Sequence, residues 1–282
     1  MSARVAVVTD STAYLPDELV EAHHVRVVPL QVVVGGSAHD EGAEVSPSEV
    51  ADALRRWVPV TTSRPAPSSF LELYEAAAAQ GATGVVSVHL SADMSGTYES
   101  ARLAAAESPV PVRVVDSRSM GMGMGYAVIS AAETAEDGGD IDEVAAAAEK
   151  RAAATTALFY VDTLEYLRRG GRVGKAAALL GSALSIKPLL HLVDGHIEPL
   201  ERVRTSTKAI SRLEEMAVAA AGDRPCDVTV HHLANAARAD ELLKRLGGRI
   251  PDVRDLRCVE VGAVVGAHVG PGMLAVVVAP LT

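Results

Sequence analysis

The feature that most constrains this chain is an alternation repeated through its first 155 residues: a short valine-rich run, a polar loop, then a helix-forming stretch. Val5–Val8 ends in Thr9-Asp10-Ser11-Thr12, Val85–Leu90 in Ser91–Thr97, and Val112–Val115 in Asp116-Ser117-Arg118-Ser119. Helical stretches lie between and after them: Pro16–His23, Ala51–Trp57, Ser68–Gln80, Tyr98–Glu107, Met120–Ala135 and Ile141–Ala154. Strands separated by helices imply a mainly parallel sheet covered on both faces. Ligands of such sheets bind in loops at the carboxyl ends of the strands. All three loops here are rich in hydroxyl groups.

Local signals sharpen this reading. Ser46-Pro47-Ser48-Glu49 has the residues of a capping box, with proline where a helix lacks a partner for its first N–H. Pro65 and Pro67 exclude helix from the segment 58–67, which reads as irregular. Val25–Val34 reads as one strand, and the polar 35–44 stretch as a loop or a poorly regular hairpin.

The second half has another rhythm. Ala157–Val161 reads as a strand and 162–167 as a short helix; Ile186–Leu192 and His196–Val203 flank the turn Asp194-Gly195 as a hairpin. Helices over Thr205–Ala221 and Ala234–Leu246 alternate with strands Val228–His232, Leu256–Val261 and Met273–Val278. The expectation is a two-domain α/β protein: an N-terminal domain over 1–155 with a mainly parallel sheet flanked by helices, and a C-terminal mixed α/β domain over 156–282.

Composition removes several function classes. Hydrophobic residues make up 49% of the 282 residues, enough for a sizeable core, but aromatic residues only 3%. The 36 acidic against 26 basic side chains give a formal charge of -10, which disfavours a nucleic-acid partner. Cys226 and Cys258 form no metal-binding or redox pair. No apolar stretch is long enough for an integral membrane segment, and the N-terminus shows no leader, so a cytoplasmic location is expected.

Gly170–Ala176 lacks the spacing of an ATP-binding loop, and Ala176 stands where its hydroxyl would be. Gly121, Gly123 and Gly125 read as close helix packing rather than a dinucleotide fingerprint. The pairs His23-His24 and His231-His232 lack companions that would complete a metal set. Ser95 and Thr97 either cap the helix that follows or serve an anion site at its N-terminus. His268, between glycines ahead of the last strand, reads as lying on irregular backbone. Arg168, Arg169, Arg172 and Lys175 form either a solvated face or a phosphate or partner site.

Several stretches together resemble the DegV family, including its fatty acid kinase B members. They are Val8–Thr12, Thr62-Ser63-Arg64-Pro65, Ser95-Gly96-Thr97-Tyr98, Val115-Asp116-Ser117, Asp162–Arg172, Ile186-Lys187-Pro188 and His268-Val269-Gly270-Pro271-Gly272. The resemblance implies a two-domain DegV-like fold with a long-chain fatty acid between or beneath the domains. Its carboxylate would be held by Thr62, Ser95 and His268, with Gly96 allowing close approach. It also implies a protein without catalytic residues, cofactor or metal. Such a protein presents the carboxylate to the catalytic subunit of an ATP-dependent fatty acid kinase, for acyl phosphate formation in phospholipid synthesis. Arg172, Arg204 and Lys187 would face that partner or the phosphate, and transient membrane contact is allowed. The family commonly has Gln where Arg64 stands and Ser where Ala92 stands. The alternatives are a stand-alone enzyme on a small carboxylate or phosphate ligand, or a lipid-sensing regulatory protein.

Overall fold

The computed structural model describes residues 4–179 and 186–282. Met1–Ala3, within the stretch read as free of a leader, lie outside the described residues. The elements run β1 (Val5–Asp10), α1 (Asp17–Ala22), β2 (Arg26–Val28), β3 (Gln31–Val34), β4 (Ser37–Asp40), α2 (Pro47–Arg55), β5 (Val60–Ser63), α3 (Pro67–Ala79), β6 (Gly84–His89), α4 (Thr97–Ala105), β7 (Val112–Asp116), α5 (Met122–Glu136) and α6 (Ile141–Ala154). They continue with β8 (Thr156–Tyr160), α7 (Glu165–Arg169), β9 (Lys187–Val193), β10 (His196–Val203), α8 (Ser206–Ala221), β11 (Cys226–His232), α9 (Ala236–Gly247), β12 (Val253–Glu260), α10 (Ala263–Val269) and β13 (Leu274–Pro280). The mixed α/β class follows the expected alternation.

The chain divides into two units, but not by one cut near residue 155. The chain up to Leu30 joins Ser63–Ala154 in the first unit, whereas Gln31–Thr62 joins Thr155–Leu281 in the second. The range 1–155 is thereby corrected: it contains a segment that belongs to the other unit. The cause is local. Pro29 has no N–H to continue a ladder, so the run read as one strand over Val25–Val34 breaks into β2 and β3. β2 pairs with β1, while β3 pairs antiparallel with β4 around Gly35-Gly36. The polar 35–44 stretch is thus half of a regular hairpin, and β5 occupies part of the segment read as irregular.

In the first unit the sheet order is β2-β1-β6-β7, with every pair parallel. One face buries Val8, Val85, Phe70, Tyr74, Ala77 and Ala101. On α5, a Cβ at Gly125 would stand 3.0 Å from the Ala13 carbonyl oxygen, so this glycine permits close packing. The chain leaves β1 towards β2 on one side and later returns to β6 on the other. The loops after β1 and β6 therefore form the switch point of the sheet.

A buried carboxylate ties those two loops together. Asp10 Oδ1 accepts from the Thr12 amide at 3.1 Å and the Thr12 hydroxyl at 2.5 Å. Its Oδ2 accepts from His89 Nδ1 at 2.9 Å and the Leu90 amide at 3.2 Å. His89 Nε2 meets Ser87 Oγ at 2.7 Å, and the Tyr74 hydroxyl donates to Ser87 at 2.9 Å. Burial pushes the Tyr74 phenol up to about 12. Proton positions thus follow one direction, Tyr74 to Ser87 to His89 to Asp10. All four residues are fully buried, so this Ser-His-Asp arrangement is a structural staple out of reach of substrate.

The second unit holds a six-stranded mixed sheet, β10-β9-β8-β13-β11-β12, and a three-stranded sheet, β4-β3-β5. In the larger sheet only β11 and β12 pair in parallel among the described strands. The hairpin turn puts Asp194 at φ 47° and Gly195 at φ 83°, as the tightest hairpin turns require. Its core gathers Leu158, Leu189, Leu213, Val228, Leu242 and Val276. Among the described residues no helix is long and apolar enough to cross a membrane.

Replacing Asp10 by alanine leaves buried donors on Thr12, His89 and Leu90 without an acceptor. Urea unfolding is expected to show a loss of about 3 kcal/mol or more. A loss below about 1 kcal/mol, the worth of one ordinary hydrogen bond, would mean that the staple is dispensable.

Candidate functional site

In the first unit, Ser95 and Gly96 stand at the start of α4, on the loop that leaves β6. Ser95 Oγ accepts from the Thr97 amide at 3.3 Å and lies 2.9 Å from Thr97 Oγ1. The hydroxyl thus caps the first turn, and the helix start adds unpaired N–H groups and the positive end of the dipole. Arg64 lies across this start: a Cβ at Gly96 would collide with its Nη1 and stand 2.8 Å from its Cδ. Arg64 also holds the Glu99 carboxyl down, after the larger effect of Arg102. Gly96 therefore admits the arginine side chain rather than only a ligand. Asp93 is exposed, as a residue that repels anions should be, and Ser91 is buried within the loop.

In the second unit the Gly262–Gly272 stretch is not irregular, as expected, but forms α10 over Ala263–Val269. His268 lies in its last turn. A helix of seven residues cannot stand alone, and its N-terminus is secured from a distant loop. The buried Glu41 carboxylate accepts from the Val264 amide at 2.7 Å. Within the polar 35–44 stretch nothing in the sequence distinguished Glu41 from Asp40 or Glu44.

Thr62 lies on β5. Its Oγ1 and His268 Nε2 are 2.9 Å apart, joining residues 206 apart in sequence. Burial, with a smaller contribution from the Arg172 charge, pulls His268 down to about 4. The imidazole is therefore neutral at physiological pH. Its Nδ1 is buried without a hydrogen-bond partner.

The ring is seated by an interlock of two motifs. A Cβ at Gly170 would collide with His268 Nδ1 and stand 2.7 Å from Cε1. One at Gly270 would collide with the Tyr166 ring, and one at Gly272 would stand 2.5 Å from Asp162 Oδ2. Asp162, Tyr166 and Gly170 thus face Gly272, Gly270 and His268 in antiparallel order. Gly270 and Gly272 also have φ of 76° and 91°, so backbone and space both require glycine there.

The three expected outward cations differ. Arg172 is exposed, and its Nη1 donates to the Gly170 carbonyl at 2.5 Å. Lys187 is committed within the unit, donating to Asp162 Oδ1 at 2.9 Å and to the Asp162 carbonyl at 3.1 Å. Tyr160 also donates to Asp162, and lies 2.9 Å from Ser206 Oγ. Arg204 is exposed. Of the expected carboxylate group, Thr62 and His268 are together in the second unit, with Arg172 near the ring; Ser95 and Gly96 belong to the first. Among the described residues no cluster of three or more His, Cys, Asp or Glu could hold a metal.

One unit with a four-stranded parallel sheet and hydroxyl-rich loops at its switch point, and one with a half-buried hydroxyl–imidazole pair between β5 and α10, define a two-unit α/β protein. The DegV family model, described as an uncharacterised protein family, matches residues 4–281, and the chain belongs to that family. A DegV domain-containing protein of Streptomyces coelicolor is 58% identical over 278 residues, covering 99% of each chain. The solved structure of a fatty-acid-binding DegV family protein from Thermus thermophilus is 35% identical, with a TM-score of 0.93 over 99% of this chain and 100% of that one. DegV from Bacillus subtilis, a fatty acid binding protein, is 33% identical with a TM-score of 0.91 over the same shares.

The depressed His268 value has a consequence for stability. The unfolded ring takes up its proton near pH ~6.5, before the folded ring does. The stability associated with the neutral ring is complete above about pH 6.5 and declines as pH falls towards 4. A His268→Gln variant lacks this titration. The unfolding free energy of wild type minus that of the variant should fall on going from pH 7 to pH 5, by at most about 1.4 kcal/mol per pH unit. A difference independent of pH would contradict the depressed value.

Proposed function

We propose that this protein binds a long-chain fatty acid and holds its carboxylate at Thr62 and His268. The observation that carries this reading is the Thr62–His268 pair, a hydroxyl and a neutral imidazole 2.9 Å apart and half-buried. A carboxylate taken out of water needs donors, since an unpaired buried anion is very costly. A hydroxyl backed by an imidazole N–H supplies one without adding a charge. The relatives from Thermus thermophilus and Bacillus subtilis, each aligned over 99% of this chain, support the choice of a fatty acid.

The finer part of the reading concerns the use of the bound acid. We propose that the carboxylate is presented to a separate kinase subunit, which transfers the γ-phosphoryl group of ATP to it. The support is the resemblance to fatty acid kinase B proteins and the absence of an ATP loop from the sequence. Arg172 and Arg204, both exposed, are the side chains proposed to face that subunit; the ion pair with Asp162 makes Lys187 a weaker choice. Ser95 is proposed by motif as a further carboxylate ligand.

Mass spectrometry of an organic extract of the purified protein should detect a long-chain fatty acid, and added oleate should bind. Thr62→Ala should weaken oleate binding by about tenfold or more, the worth of a hydrogen bond to a charged group. Ser95→Ala tests the third group in the same assay. Finding no fatty acid, and no binding of oleate or palmitate, would overturn the reading.

A further inference from the structure

We infer that Gly170 is a positioning residue: by seating the Nδ1 edge of His268 on bare backbone, it places the ring proton on Nε2 and turns the Thr62 hydroxyl proton towards the bound carboxylate. This rests on the reading of Thr62 as a carboxylate donor and adds what controls the direction of that donor.

Among the described residues Nδ1 has no hydrogen-bond partner. Along the segment beneath the ring, the Gly170 amide donates to the Tyr166 carbonyl at 2.9 Å, that of Gly171 to Arg168 at 3.1 Å, and that of Arg172 to Leu167 at 2.9 Å. The Gly170 carbonyl accepts from Arg172 Nη1 and makes no bond to Nδ1. Nδ1 itself is buried and without a partner. A proton there would be an orphaned buried donor, the kind of group folded proteins avoid most strictly. A bare lone pair facing the Cα–H of Gly170 makes only a weak contact but strands no donor. The neutral ring therefore carries its proton on Nε2.

The direction of the next bond follows. Nε2–H donates to Thr62 Oγ1 across 2.9 Å. A hydroxyl has one proton and two lone pairs. With one lone pair taken by the ring, its proton is available to an outside acceptor, and an ionised carboxylate only accepts. In the other tautomer Thr62 would spend its proton on Nε2 and meet the carboxylate with lone pairs. Proton placement thus decides whether the pair attracts or repels the ligand.

Gly170 is required by the ring and not by its own backbone. Its φ of -73° and ψ of -7° suit any residue. Its neighbour Gly171 is the reverse case, with φ 72° and nothing within 4 Å of a built Cβ. Gly170→Ala consequently removes the seat of His268 without straining the chain.

The test is a two-bond ¹⁵N–¹H spectrum of the wild-type protein near neutral pH, combined with a double-mutant cycle on oleate affinity. The spectrum is expected to show His268 protonated on Nε2 and bare on Nδ1. Gly170→Ala should weaken oleate binding by about tenfold, and should cost nothing further in a His268→Ala background, since Gly170 acts through the ring. His268→Gln, which keeps an N–H at the Nε2 position, should retain affinity within about threefold of wild type. A proton on Nδ1, or an equal loss from Gly170→Ala with and without His268, overturns the inference. The spectrum needs only wild-type protein, so it decides even if a variant fails to fold. A wild-type protein that binds no fatty acid but shows the Nε2 proton refutes the lipid reading alone.

Discussion

One buried carboxylate decides where the second unit places its histidine. α10 is too short to hold itself together, and its first turn is secured by Glu41, 223 residues away in sequence. Its last turn is held by packing: the His268 ring lies on Gly170, and beyond it Gly270 and Gly272 receive Tyr166 and Asp162. Between a charged cap at one end and an interlock of glycines at the other, the imidazole has one place to go. The 2.9 Å approach to Thr62 is the outcome of that confinement.

The first unit handles its own irregular joint in the same way. Asp10 gathers donors from the exits of β1 and β6, the two strands flanking the switch point. In both units, then, a buried acidic side chain supports backbone rather than binding a ligand or doing chemistry. Both are buried, and each accepts from the chain itself.

The sequence disclosed the alternation of strands and helices, the capping box at Ser46, the hairpin turn at Asp194-Gly195 and the packing role of Gly125, because each has a local cause. It paired Thr62 with His268 only through resemblance. No periodicity links residues so far apart. The transfer of Gln31–Thr62 to the second unit is not legible because Val25–Val34 is valine-rich on both sides of Pro29, and a valine-rich run does not say which sheet it will join. The helical state of α10 is hidden by Gly266, its three valines and the flanking glycines, poor helix formers that tertiary contacts overrule. Glu41 looked like any acidic loop residue. Gly170 stands inside the Asp162–Arg172 motif, yet its purpose appears only when a ring from another part of the chain is laid upon it.

The strap formed by Gln31–Thr62 also sets an order of events during synthesis. The strands of the parallel sheet are all available once Asp116 has emerged. At that moment the β3–β4 hairpin and α2 have been made, but their unit has not. Thr62 leaves the ribosome 206 residues before His268, and Glu41 waits 223 residues for the amide it caps. α2, with Val50 and Leu54 buried, packs against α10, a partner that is missing until nearly the whole chain is out. The proposed binding pair is therefore among the last contacts that a nascent molecule can make, and a chain cut short anywhere before residue 268 lacks it entirely.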